Sequence, residues 1–312
     1  MIDSRLKDWL LAGDVSIQYQ TKRDLFGIDD LDLQQKIHQS GWGRAFLQLQ
    51  NANGHWGRSF YSPKWISTHY TILDLKNLQI APAQTAIVSI LEKIVKEEKG
   101  PDGGLLPIGT TQKSDVCVNG MAINYLAYFG IASQHLESII DFILSQQMPD
   151  GGFNCQSNRK GAIHSSLHST ISVLEGFLEY SKNAYTYRQE EVQKAKDQCI
   201  AFILLHHLYK SDKTGEIIHP HMLRLSYPSR WKYDILRALD YFQAAQIPFE
   251  EQMRDALTLL KRKRKKDGKW NLQQKHPGQV HFQMEKPGKA SRWNTLRALR
   301  VLNFYEPNLR VK

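Results

Sequence analysis

Gln147-Met-Pro-Asp-Gly151-Gly-Phe153 decides the reading of this chain, because its spacing, Gln-x-x-x-Gly-x-aromatic, occurs again. Gln50-Asn-Ala-Asn-Gly54-His-Trp56 repeats it in full. Lys99-Gly-Pro-Asp-Gly103-Gly-Leu105 and Arg264-Lys-Lys-Asp-Gly268-Lys-Trp270 keep the glycine and the bulky apolar residue that ends the pattern. Each copy comes after a stretch with helical patterning: Trp42 to Leu49, Ile87 to Glu97, Leu136 to Leu144 and Met253 to Leu260. A glycine in that place reads as the left-handed stop of a helix.

The segment after each turn repeats as well. Second helices of one flavour start near Trp65, Asp115, His164, Ser229 and Ser291, roughly 50 to 65 residues apart, the period of a helical-hairpin repeat. That makes five hairpins, and the segments Arg5 to Leu11 and Val15 to Leu25 offer a sixth. Few runs alternate with the period of a strand, so the expectation is one all-α domain over residues 1–312, with residues 1–40 closing it.

Composition narrows the class. A chain of 312 residues with 41% hydrophobic content can bury a large core. No window approaches the length needed to cross a bilayer, so a cytoplasmic protein is expected. Three cysteines, Cys117, Cys155 and Cys199, do not make a secreted disulfide framework and point instead to metal or thiol chemistry. The net charge of +10 suits an anionic partner, yet much of it sits in Lys261-Arg-Lys-Arg-Lys-Lys266 at the end of a predicted helix. There a solvated basic face complementing the helix dipole is the commoner reading, ahead of nucleic-acid binding.

The Gln-x-x-x-Gly-x-Trp spacing resembles the QW motif of squalene and oxidosqualene cyclases. The hairpin series is similar to the α/α toroid shared by those cyclases and protein prenyltransferase β subunits, and the likeness spans nearly the whole chain. The resemblance implies an inner ring of helices around a central cavity, an outer ring enclosing it, and motif residues that tie repeats together. The N-terminal ends of the inner helices then meet at one mouth, where helix dipoles favour bound anions. An Asp-x-Asp-Asp motif for alkene protonation is missing. Asp29-Asp30-Leu-Asp32 reads as a loop and helix N-cap.

A candidate metal site falls at the same mouth. Asp115-Val-Cys117 opens one inner helix, His164 and His168 open the next with a spacing of four, and Cys155 lies between them. Thiolates and imidazoles form a ligand set that zinc accepts. Asp115, Cys117 and His168 match the prenyltransferase zinc pattern; Cys155 and His164 are additions of this chain. Four protein ligands would make the zinc structural, and three with an open position would activate a thiol or water.

Elsewhere on the inner ring, Trp65, Tyr70, Trp231, Tyr233, Trp293 and Asn294 are candidate substrate contacts, and His69 and Asp234 are candidate catalytic groups. The parallel starts Ser229-Arg-Trp231 and Ser291-Arg-Trp293 place Arg230 and Arg292 at matching positions, as a pair of anion clamps or as salt-bridge partners. The leading expectation is a zinc-binding, prenyltransferase-like or cyclase-like enzyme acting on an isoprenoid or other amphiphile. Two alternatives stay open: a noncatalytic lipid- or peptide-binding toroid with structural zinc, and a carbohydrate-active α/α barrel with Asp74, Glu175 and Asp234 as its available carboxylates. A partner subunit is not legible in the sequence. Because a ring needs its last member, deleting the residues after Ser291 is expected to abolish cooperative unfolding, which thermal melting of the truncated chain would check.

Overall fold

The computed structural model describes residues 3–107 and 112–309. In chain order its helices are α1 (Ser4–Leu11), α2 (Val15–Phe26), α3 (Leu31–Gln35), α4 (Gly41–Leu47), α5 (Thr68–Asn77), α6 (Thr85–Glu97) and α7 (Val116–Tyr128). Then come α8 (Ser133–Ser145), α9 (Ser157–Lys160), α10 (Leu167–Lys182), α11 (Gln189–Leu205), α12 (Ile235–Ala244), α13 (Arg254–Arg262) and α14 (Arg292–Leu309). Two short strands, β1 (Trp270–Asn271) and β2 (Ala290–Ser291), pair antiparallel just before α14. No described helix is long and apolar enough to cross a membrane.

Burial sorts the helices into two layers. In α6 the buried residues Ile87, Ile90, Leu91, Ile94 and Val95 form one stripe, and α8 carries a similar stripe, so each faces the core on one side. α5 is buried continuously from Thr68 to Leu75, and α7 from Val116 to Ala127, as helices enclosed on all sides must be. The enclosed set α2, α5, α7, α10, α12 and α14 alternates along the chain with the outer set α1, α4, α6, α8, α11 and α13. Sequential inner helices from α5 to α14 touch one another, and α14 packs back on α2. Gln20 Nε2 donates to the Asn77 carbonyl at 3.0 Å, joining α2 to α5 and completing the circle. This is an α/α toroid of six hairpins, the N-terminal pair included.

The repeated motif is the wiring of this ring, although its glycine is not a helix cap. α4, α6, α8 and α13 end several residues earlier, and Gly54, Gly103, Gly151 and Gly268 occupy the left-handed position, φ +80° to +89°, that closes a β-turn beyond the helix. Gly54 N–H donates to Asn51 C=O, and Asn51 N–H donates to His55 C=O; the other three copies repeat both bonds. A side chain at these glycines would press on the next outer helix: on Ile90 of α6, Ser138 of α8, Gln198 of α11 and, for Gly268, Leu6 of α1. The last of these contacts shows the repeat running past the chain terminus into the first hairpin. The motif glutamines donate within their own turns, Gln50 to Gly54 O at 2.8 Å and Gln147 to Gly151 O at 3.0 Å. Trp56 and Trp270 donate their indole N–H to Phe46 O and Leu260 O at 2.7 and 2.8 Å, fastening each motif to the carbonyls at the end of the preceding outer helix, α4 or α13. The backbone N–H of the same position binds the adjacent inner helix: Trp56 to Thr68, Phe153 to Thr170, Trp270 to Thr295 and Leu105 to Asn119.

Helix starts differ from the sequence reading in three places. Trp65 lies in a short 3-10 turn ahead of α5, and α10 begins at Leu167, so His164 stays outside it. α12 begins at Ile235, because Asp234 caps it by accepting the Arg237 N–H, which leaves Arg230, Trp231 and Tyr233 in the segment before the helix.

α7 and α10 approach closely through Gly120 and Gly176. A Cβ built on Gly176 would lie 2.3 Å from the Gly120 carbonyl oxygen, and the backbone there is ordinary helix. Gly176→Ala is therefore expected to lower stability by about 1–3 kcal/mol through overpacking despite alanine's better helix propensity. Denaturant unfolding against Gly161→Ala, where no atom lies within 4 Å, separates crowding from backbone strain.

Candidate functional site

The toroid encloses a cavity of about 420 Å³ whose wall is built largely by the C-terminal halves of the inner helices. Arg23 and Asp24 come from α2, Lys76 from α5, Glu175 and Glu179 from α10, Arg237 and Asp240 from α12, Arg297 and Arg300 from α14. Arg23 and Lys76 lie in the last turns of α2 and α5, where cations complement the negative ends of the helix dipoles, whereas Arg237, Arg297 and Arg300 stand in earlier turns of α12 and α14. Arg300 bridges Asp240, at 2.5 and 2.6 Å, and Asp24 at 2.8 Å, while Arg297 adds a third guanidinium contact to Asp240 at 2.9 Å. Burial works against the Asp240 charge, but Arg300 and Arg297 hold its carboxyl below the ordinary range. Arg237 grips Glu175 with two bonds of 2.8 and 2.7 Å, and Lys76 pairs with Glu179 at 2.9 Å. With Arg230 and Lys182, seven cationic side chains line this cavity against four carboxylates.

Three buried polar atoms on the same wall have no partner among the described residues: Asn124 Oδ1, Tyr241 OH and Trp293 Nε1. A buried polar group without a partner is costly, so these atoms mark places where a polar ligand or water completes the site.

Arg230 stands at the junction. It lines this cavity and also a smaller one of about 60 Å³, under the segment 275–285 at the N-terminal mouth. Its backbone is left-handed, φ +58°, a conformation that a non-glycine residue keeps only when its surroundings enforce it. Nη1 donates to Asp74 Oδ2 at 2.5 Å, and the guanidinium carbon lies 5.7 Å from the Trp65 ring centroid and 5.8 Å from that of Tyr70. Its remaining N–H groups make no hydrogen bond to the described residues. Burial pushes the Asp74 carboxyl up to about 6, against the pull of Arg230.

The other sequence candidates have mostly structural partners. Arg292 does not mirror Arg230: its Nε donates to the Trp9 carbonyl at 2.9 Å and the side chain lies over the Trp9 ring, at the seam between α14 and α1. No pair of arginine clamps forms. Asp234 accepts from Ser226 N–H, Ser226 Oγ and Arg237 N–H, which saturates its carboxylate as a cap. His69 is fully buried, with Nδ1 3.0 Å from the Tyr125 hydroxyl and Nε2 unpartnered, and burial alone pushes it down to about 3. Tyr70 meets the Tyr61 hydroxyl at 3.0 Å, and Trp65 Nε1 donates to Pro277 O at 2.6 Å. Trp231 lies between Lys64 and Lys232, 5.2 and 4.4 Å from its centroid; Tyr233 OH donates to Leu208 O. Trp293 stacks on Tyr227 at 4.5 Å, and Asn294 Nδ2 donates to Asn271 O. Asp30 caps α3 as expected, pairing also with Lys22.

The proposed zinc ligands do not gather around one point. Asp115 pairs with Arg159 at 3.0 Å, His164 is exposed, and His168 Nδ1 accepts the Tyr233 N–H at 2.8 Å. Cys117 and Cys155 are both free thiols, close enough to influence each other's titration, and that neighbour together with burial pushes the Cys117 thiol up. Among the described residues no group of three or more His, Cys, Asp or Glu side chains is arranged to hold a metal ion. The donor set present is two thiols, fewer than either zinc arrangement needs.

Sequence reading missed Arg23, Arg237, Asp240, Arg297 and Arg300. The available signal was charge inside otherwise apolar inner helices, as in Ile235-Leu-Arg-Ala-Leu-Asp240, where a buried ionisable group needs a partner or a task.

Comparisons with known proteins bear on the fold. No protein-family model matches the chain, and no curated protein matches it in sequence. A solved structure titled as a polysaccharide lyase is similar over 99% of this chain and 98% of its own, with a TM-score of 0.51 and 12% identity. That likeness over the whole length agrees with the α/α toroid.

Arg230→Ala is expected to destabilise the protein by about 1–3 kcal/mol, since Asp74, already pushed up by burial, loses the guanidinium that holds its charge and must take up a proton to stay buried with its hydrogen bond unmade. The double variant Arg230→Met, Asp74→Leu should recover most of that loss, measured by urea unfolding.

Proposed function

We propose that this chain is a carbohydrate-active α/α toroid that takes an acidic saccharide into its central cavity, with the sugar carboxylate recognised by Arg230. The observation that carries this reading is Arg230 itself, held in a left-handed conformation at the meeting of two cavities, with guanidinium donors still open. The volume of about 420 Å³ falls within the range of roughly 300–1,000 Å³ typical of small-ligand sites. An isoprenoid tail fits this wall poorly, because apolar contact would strip water from charged groups without replacing their hydrogen bonds.

The chemistry favoured is elimination rather than hydrolysis. A glycosidase needs one free carboxylic acid and one free carboxylate facing each other. Asp74 and Glu175 are each bound by an arginine, and Asp234 is spent as a cap. A guanidinium against a uronate carboxylate does something else: it stabilises the charge that develops when a base takes the proton from the neighbouring carbon, and that charge then forms the C=C bond as the glycosidic C–O bond breaks and the departing oxygen takes up a proton. The likeness to a structure titled as a polysaccharide lyase supports the same choice.

The test is to incubate the protein with oligomers of glucuronate, mannuronate or galacturonate, following the ultraviolet chromophore of the unsaturated product alongside calorimetric binding. Binding of an oligouronate but not of its neutral counterpart is expected. Arg230→Lys, which keeps the charge and loses the planar fork, should weaken binding about tenfold or more. Equal binding of neutral sugars, or preference for a prenyl diphosphate, would overturn the reading.

A further inference from the structure

We propose that Asn124, Tyr241 and Trp293 recognise the hydroxyl groups of the cavity's ligand, so that the site takes a polyhydroxylated acid and rejects an anion that carries no hydroxyl. The inference rests on the acidic-saccharide reading and deepens it. It begins from the three polar atoms of the cavity wall that have no partner among the described residues, Asn124 Oδ1, Tyr241 OH and Trp293 Nε1. Asn124 and Tyr241 are 3% exposed and Trp293 is 2% exposed. Leaving a buried polar atom unpaired is destabilising and folded proteins contain few of them, so three on one wall point to a ligand that completes them.

The ring spaces these groups around the ligand. Among the inner helices α7, which carries Asn124, touches α5 and α10, while α14, which carries Trp293, touches α12 and α2. In a ring of six, α7 and α14 therefore stand opposite each other. Tyr241 comes from α12, between α10 and α14. Each group is fixed before a ligand arrives. Asn124 lies one turn beyond Gly120, where α7 and α10 meet backbone to backbone. The Trp293 ring is stacked on Tyr227 at 4.5 Å and on Trp42 at 6.1 Å, which sets the direction of its N–H. Burial pushes the Tyr241 hydroxyl up, so it keeps its proton.

The chemistry of the three atoms defines what they take. An amide oxygen only accepts, so Asn124 Oδ1 needs a donor, which a hydroxyl has and an ionised carboxylate lacks. An indole N–H only donates, so Trp293 needs an oxygen acceptor, and the Tyr241 hydroxyl can do either. A sugar acid supplies donors and acceptors on several sides at once, together with a carboxylate for Arg230.

The experiment reads the full chain in two ways, by urea unfolding without ligand and by calorimetric binding of a glucuronate, mannuronate or galacturonate oligomer. An oligoacrylate of matched charge is the hydroxyl-free comparison. The wild type should bind an oligouronate and not the oligoacrylate. Asn124→Leu, Tyr241→Phe and Trp293→Phe should each weaken binding about tenfold or more. Tyr241→Phe removes one oxygen and nothing else, so it should unfold at a urea concentration no lower than the wild type while binding less tightly, a split that a structural hydroxyl would not give. A lower midpoint for Tyr241→Phe would show that its hydroxyl already has a partner in the empty cavity and would overturn its assignment. Folded variants that bind the oligouronate as tightly as the wild type, or a wild type that binds oligoacrylate equally well, would overturn the inference while leaving the role of Arg230 standing. A wild type that binds no oligouronate is the separate failure of the acidic-saccharide reading, and the inference falls with it.

Discussion

Closure of α14 against α2 is the constraint on which the rest of the structure depends. Five hairpins alone would expose the flank of an inner helix, and inner helices such as α5 and α7 are buried on every side. The closing contacts come from far apart in the chain: Arg300 on α14 joins Asp240 on α12 to Asp24 on α2, and Arg292 reaches the carbonyl of Trp9 on α1. Gly268 meets Leu6 as the other motif glycines meet the next outer helix, so the first hairpin occupies the place of a seventh repeat. A ring closed in this way leaves no free edge, and each helix is buried by neighbours on both sides.

Closure also forces the polarity of the cavity. Inner helices that point the same way bring the C-terminal ends of α2, α5 and α10 together, and Arg23, Lys76 and Lys182 in their last turns offset the partial negative charge there. The arginines in turn need carboxylates because they are buried, and the chain supplies fewer of these on the wall than cations. The result is a cavity lined by more cations than carboxylates, with three buried polar atoms on its wall that have no partner among the described residues.

The opposite mouth is organised differently. Segment 275–285 lies across it, with Pro277 accepting from Trp65, His281 against the Thr71 hydroxyl, and Phe282 on Phe46. Below this cover is an aromatic cluster around His69, which burial keeps neutral, and beside it stands the thiol pair. Chemistry that sequence reading gathered into one zinc centre is divided in the folded chain. His168 takes a backbone N–H, Asp115 takes Arg159, and the Cys155 backbone is fixed to Ser169 while both cysteines stay free thiols.

The sequence by itself determined the architecture, because the fold is local and repetitive. The Gln-x-x-x-Gly-x-aromatic spacing, the helix after it and the hairpin period are all readable within short windows; they give five hairpins and a candidate sixth, and the resemblance to the QW repeat adds the closed double ring, since hairpin repeats also stack as open solenoids. It also exposed Arg230 and the Cys117, Cys155 pair as positions of interest. Only the tertiary structure decided what each of them touches. Arg230 and Arg292 have matching local sequences, Ser-Arg-Trp, yet one turns to Asp74 and the cavity and the other to Trp9 at the seam, because ring neighbours differ where the chain ends meet. The arginines of the cavity wall escaped notice for the same reason: pairs such as Arg300 with Asp24 join residues at opposite ends of the chain. Periodicity reports which face of a helix is buried, but the partner of a buried charge is a three-dimensional neighbour, and no local window of sequence contains it.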